Sequence, residues 1–232
     1  MANRQKRHHN KKLQNADYRK LLQIAKTYRS EGAYREAELA FQEALGADNT
    51  EAEPYHILAL MAYENGNLET AGNQIIEATM RAENDATIHA DCGAIMNMLN
   101  RSAEAEAACR HAIDLNPDYI EAYNNLAVAL SQQNRLEEAI QICDTAIECR
   151  PDYADALINK GNFLVHMDDP VSAIETFTMA IKIAPNNPLA RVNLGTALRL
   201  VGELDAAQKQ CEAGLALRPD YPEAHAALGM IL

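Results

Sequence analysis

Between Ile120 and Tyr153, apolar residues recur at helical spacing in two successive stretches. Ala122, Tyr123, Leu126, Ala127 and Leu130 form one stripe; Leu136, Ala139, Ile140, Cys143, Ala146 and Ile147 form the second. Gln133-Asn134-Arg135 supplies the turn between them, and Pro151 closes the unit. A shift of 34 residues reproduces the pattern over 154–187 downstream and 86–119 upstream. A fixed period holding two amphipathic helices predicts stacked helical hairpins, each burying its apolar face only against its neighbours.

Six full units are expected, at 18–51, 52–85, 86–119, 120–153, 154–187 and 188–221, followed by a partial seventh at 222–232. The eighth position is small throughout: Ala25, Ala59, Gly93, Ala127, Gly161 and Gly195. The twentieth is always alanine, at 37, 71, 105, 139, 173 and 207. Small residues in these two columns let helix axes approach closely, so both are packing signatures. The fourth position carries a large apolar residue or histidine, with Arg191 departing from that rule. Lys160 falls at an inward site and must pair or snorkel. Gly214 replaces an alanine and is expected to weaken its helix by up to about 1 kcal/mol.

These columns resemble the tetratricopeptide repeat family over residues 18–232. The resemblance implies an all-α, right-handed α-solenoid of six helix hairpins plus one unpaired helix. It also implies a concave channel lined by first helices, and a role in binding proteins or peptides. The segments EAYNNLAVAL, ADALINKGNFL and LARVNLGTAL carry Asn125, Asn159 and Asn193 at the sixth position. They are similar to the asparagine ladder of O-linked N-acetylglucosamine transferase repeats and their bacterial relatives. That similarity implies a rail that grips the backbone of an extended peptide. A carboxamide has both a donor and an acceptor, which suits a peptide group whatever its side chain. Gln23, Ile57 and Asp91 stand at the sixth position of the first three units, so the ladder is expected in the C-terminal half only.

Around this ladder, Asn124, Val128, Ile158, Asn162, Val192, Thr196 and Arg199 are the expected groove residues, with Leu60, Tyr63, Ser131, Gln132 and Leu200 also facing the channel. Lys26 and Arg29 give the first unit a basic entrance. The family's clamp for chaperone tails does not fit, because Ile158, Glu223 and Ala227 stand where its cations belong.

Charge sharpens the picture. Of 21 basic and 33 acidic side chains, five bases and one acid lie in residues 1–17, leaving 16 and 32 for the remainder, a net of −16. Such a body repels polyanions, which argues against a nucleic-acid partner. The basic leader reads either as a solvated terminus or as an electrostatic tether. It lacks the apolar core of a signal peptide, and no run approaches a membrane span.

The five cysteines contain no C-x-x-C pair and are odd in number, so reduced thiols in a cytoplasmic protein are expected, with no disulfide. The seven histidines have no metal-ligand spacing, no phosphate-cradling loop occurs, and no catalytic constellation stands out. We therefore expect a chain without catalysis, cofactor or metal. The seventh unit stops after one helix, PEAHAALGMIL, which implies either a longer protein, such as a glycosyltransferase with its catalytic domain beyond residue 232, or capping by self-association.

Overall fold

A computed structural model describes residues 17–231. Among them are thirteen helices and no strand, in the α-solenoid class. The chain forms two compact units, the first ending at Leu115 and the second beginning at Asn116. Unit 1 holds α1 (17–30), α2 (Tyr34–Ala47), α3 (Ala52–Glu64), α4 (Leu68–Arg81), α5 (Ala86–Met98) and α6 (Ser102–Leu115). Unit 2 holds α7 (Ile120–Gln132), α8 (Leu136–Cys149), α9 (Ala154–His166), α10 (Pro170–Ile183), α11 (Pro188–Leu200), α12 (Leu204–Leu217) and α13 (Pro222–Gly229). Within each unit, consecutive helices pack as antiparallel hairpins. The basic leader lies outside the described residues, apart from Asp17.

Local chemistry sets where helices begin. Asp85 accepts from the Thr87 and Ile88 amides to cap α5, and Asp169 accepts from Ser172 to cap α10. Pro170, Pro188 and Pro222 sit in the first turn of α10, α11 and α13, where the missing N–H does no harm. The turn inside each hairpin needs one left-handed residue, and it falls at the fifteenth position every time. Gly32, Gly66, Asn100, Asn134, Asp168 and Gly202 all have φ between 57° and 84°. Glycine takes this conformation freely, and asparagine and aspartate tolerate it better than other residues.

Packing joins the columns. All six twentieth-position alanines are fully buried. The small eighth residue faces the twenty-fourth position of its unit, on the second helix: Gly93 faces Cys109, Gly161 faces Phe177 and Gly195 faces Cys211. A methyl on Gly161 would come within 2.5 Å of the Phe177 ring, and one on Gly195 within 2.6 Å of Cys211 Sγ. Gly214 is likewise a packing requirement, since a Cβ there would meet Val192 Cγ2 at 2.8 Å. Its lower helix propensity is offset by that close approach. Lys160 pairs with Asp144 at 2.5 Å.

At the fourth position a hydrogen-bond donor serves in some units, and an apolar residue, Leu21 or Leu157, stands in others. Tyr123 Oη donates to the Pro117 carbonyl at 3.0 Å, Arg191 Nη2 to Pro185 at 2.8 Å, and the ring nitrogens of His89 and His225 reach the Glu83 and Pro219 carbonyls. Each acceptor lies six residues earlier, just past the end of a second helix, where carbonyls lose their helical partners. In α3 the equivalent Asn49 carbonyl is taken by Arg81, whose guanidinium also donates to Tyr55 Oη and lies 4.1 Å from the Tyr55 ring centre. Leu157 at this position has no donor and is buried in the core.

Cys92, Cys109, Cys143 and Cys211 are buried and Cys149 is exposed; all five are free thiols. Burial pushes the Cys109 and Cys143 thiols up to about 12 and Cys92 to about 11, which keeps them protonated and unreactive at neutral pH.

Candidate functional site

In unit 2, the first helices α7, α9 and α11 border a depression of about 390 Å³. Asn159 and Asn193 hold the same place, the sixth, on α9 and α11. Asn159 Nδ2 donates to Asn124 Oδ1 at 2.8 Å, and Asn193 Nδ2 donates to Asn162 Oδ1 at 2.8 Å. Each ladder carboxamide is thereby held by one from the preceding first helix. Ser131 and Thr196 donate to the Val128 and Val192 carbonyls of their own helices, so their oxygens face the depression as acceptors. Val128, Phe163, Val165 and Phe177 give its apolar wall. Among the described residues, none that lines it is acidic.

Of the residues expected from sequence, Val128, Asn159, Asn162, Asn193 and Thr196 come together here, with Asn124 bonded to Asn159. Asn125 is half-buried on α7 and is not part of this lining. Ile158 and Val192, expected along the groove, are instead only 3% exposed. Ile158 joins the core with Phe177 and Ala190, and Val192 packs with Cys211 and Ala224. An aliphatic side chain at the fifth position turns into the gap beside the second helix, whereas Asn124 at that position stays at the rim. Arg199 is half-buried outside the depression, with its Nε enclosed and making no hydrogen bond. Phe163, Val165, His166 and Phe177 were not anticipated. Phe177 was recoverable in principle from the glycine opposite it, Gly161.

Unit 1 differs. At the positions equivalent to Asn124 and Asn159 stand His56 and Asp91, whose Nε2 and Oδ2 lie 2.7 Å apart. Lys26 and Arg29, expected as a basic entrance, pair with Glu53 at 2.6 Å and Glu64 at 3.9 Å, so their charge is largely compensated. His89 and His111 both point Nε2 at the Glu83 carbonyl, at 3.1 and 2.9 Å, their rings meeting edge to face. Among the described residues, no group of three or more His, Cys, Asp or Glu side chains is placed to hold a metal ion. None of the described helices is long and apolar enough to cross a membrane.

Hairpins of this kind, with small-residue columns and first helices presenting polar side chains, define a helical-repeat scaffold. The chain belongs to the tetratricopeptide repeat family: one model of that description matches residues 99–162 and 164–231, and another matches 21–55. No curated protein matches it. Among solved structures it is similar to PilW, a widely conserved type IV pilus biogenesis factor. The two share 18% identity and a TM-score of 0.78, over 91% of this chain and 98% of that one. Pseudomonas aeruginosa PilF is 15% identical with a TM-score of 0.71, over 94% and 99% of the two chains. YrrB, a tetratricopeptide protein with an unusual peptide-binding site, is 19% identical with a TM-score of 0.55, over 81% and 97%. At these identities the likeness is one of fold.

Proposed function

We propose that this chain is a non-catalytic scaffold whose second unit holds an extended segment of another protein along α7, α9 and α11. The two carboxamide pairs beside an apolar depression carry this reading. They offer donors and acceptors to a backbone and an apolar recess to a side chain, which is what segment recognition requires. Buried, protonated thiols support a cytoplasmic setting, and the net charge of the body speaks against nucleic acid.

The test uses a phage-displayed library of short random peptides. It is selected on the immobilised chain alone, and the selected peptides are then titrated against the variant Asn125→Ala/Asn159→Ala/Asn193→Ala. Selected peptides should lose about tenfold or more in affinity for the variant, roughly 1.4 kcal/mol, while its helicity and melting temperature stay unchanged. Peptides that bind both proteins equally would reject the groove.

The Asn125–Asn159–Asn193 column favours a second reading, the substrate-recognition arm of a protein O-glycosyltransferase. Sequencing the gene past the codon for residue 232 decides it: a sugar-nucleotide-binding domain supports that reading, and an early stop codon removes it. Self-association through the last helix is a weaker alternative, excluded if light scattering gives a concentration-independent monomer.

A further inference from the structure

On the α11 side of the recess stands a charged group without a partner. Resting on the groove reading, we infer that the segment held by the second unit brings an acidic side chain, Asp or Glu, to Arg199 while an apolar residue fills the recess. Ser131, Val165 and Arg199 share the twelfth position of three successive repeats, and the first two line the recess. Arg199 also lies three residues beyond Thr196 on α11, which makes it the neighbour of a lining residue on the same helix face. It therefore stands at the rim, where the row of lining side chains continues.

The state of its guanidinium is unlike that of its counterparts. Of the half-buried arginines among the described residues, Arg29, Arg81, Arg101 and Arg135 lie beside carboxylates, and Arg191 donates to the Pro185 carbonyl. Arg199 does neither, and its Nε is enclosed without an acceptor. Arg29 holds the same twelfth position in unit 1 and has Glu64 3.9 Å away. An arginine does not shed its proton, and a charged donor shut away from water without a bond is costly. The last turn of α11 offers Arg199 the negative end of a helix dipole, yet Nε stays unbonded there. A carboxylate supplies the opposite charge and the acceptor together, as a charge-assisted hydrogen bond.

The immediate surroundings suit an anion although the body as a whole is acidic. Helix α11 contains Arg191 and Arg199 and no Asp or Glu, and among the described residues none that lines the recess is acidic. Charges farther off act through water and salt, which screen them beyond about 8–10 Å. The wall of Val128, Phe163, Val165 and Phe177 stays apolar, so the acid belongs beside the anchoring residue of the guest and not in its place.

Fluorescence anisotropy on the full chain tests this with nine-residue peptides carrying an uncharged label and blocked ends, so that side chains supply the only charges. The parent has a central Leu among Ser and Thr, and eight relatives each carry one Glu at a different position. At least one relative should bind at least about fivefold tighter than the parent, with a gain that shrinks as salt is raised. Arg199→Gln should remove that gain, as should Gln for Glu in the peptide. The parent should bind Arg199→Gln as tightly as the unaltered chain, which separates loss of the charge from loss of the fold. If no relative outbinds the parent, or if the gain survives in Arg199→Gln, the acidic-segment inference falls. The groove reading then stands as long as Asn159→Ala/Asn193→Ala weakens the parent. Binding of no peptide, or binding indifferent to those two asparagines, overturns both.

Discussion

In unit 1, His56 on α3 meets Asp91 on α5 at 2.7 Å; in unit 2, Asn159 on α9 donates to Asn124 on α7 at 2.8 Å. The two pairs occupy the same repeat positions, and the backbone around them is built alike. Their chemistry is not. The first joins an imidazole nitrogen to a carboxylate, and Lys26–Glu53 is an ionic pair. The carboxylates and cations there already have partners. The amide pair is neutral and leaves donors and acceptors over for a guest, in a recess free of acids. One scaffold thus provides pairing to carboxylates in one unit and amide-to-amide pairing in the other.

The sharpest way to break that contrast is through the packing that holds the recess in place. Gly161→Ala drives a methyl into Phe177, which walls the recess, and should destabilise unit 2 by about 1–3 kcal/mol in urea unfolding. An unchanged midpoint would mean that Phe177 can move aside. Next in size is binding. His56→Ala should leave the affinity for groove-selected peptides within about twofold, against about tenfold loss for the triple asparagine variant. Equal losses would erase the distinction between the units.

A smaller effect separates the fourth-position donors. Burial, ahead of the neighbouring His111, holds the His89 imidazole below its ordinary value of 6.5. The unfolded chain therefore binds that proton more readily than the folded one. The contribution of His89 is full above its unfolded value and declines as pH falls through it. Burial raises the Tyr123 phenol, the donor in α7, above its ordinary value, so it keeps its proton throughout this range. The urea midpoint should drop between about pH 7.5 and about pH 5.5, and less so in His89→Gln; an equally steep drop in that variant removes the assignment. Smallest is the turn. Asp168→Gly should stabilise by a few tenths to about 1 kcal/mol, because glycine enters the left-handed region without strain. Loss of stability would show that the Asp168 side chain has a role of its own.

The fold was legible because its signal is repeated: a two-helix pattern at constant spacing averages out the irregularities of any one copy. The small eighth residues and the alanine column were visible for the same reason. What escaped were relations between columns. Gly161 reads as a mere small residue until Phe177 is seen beneath it, and Gly214 reads as a weak helix former until Val192 fills its space. The fifth position misled because it lies at the boundary between core and rim. There Asn124 remains solvated enough to bond Asn159, while Ile158 and Val192 turn inward. Sequence spacing gives the face of a helix, and side-chain chemistry then decides which way a borderline residue leans.

The fourth-position contact has a bearing on how such chains are compared. Tyrosine, histidine and arginine share no common size or charge that an alignment score would reward, yet here each donates a hydrogen bond to the same kind of carbonyl. Where this column carries a donor, the bond rather than the residue type is what the copies share. Divergent copies can exchange these residues freely while the joint between one hairpin and the next stays tied.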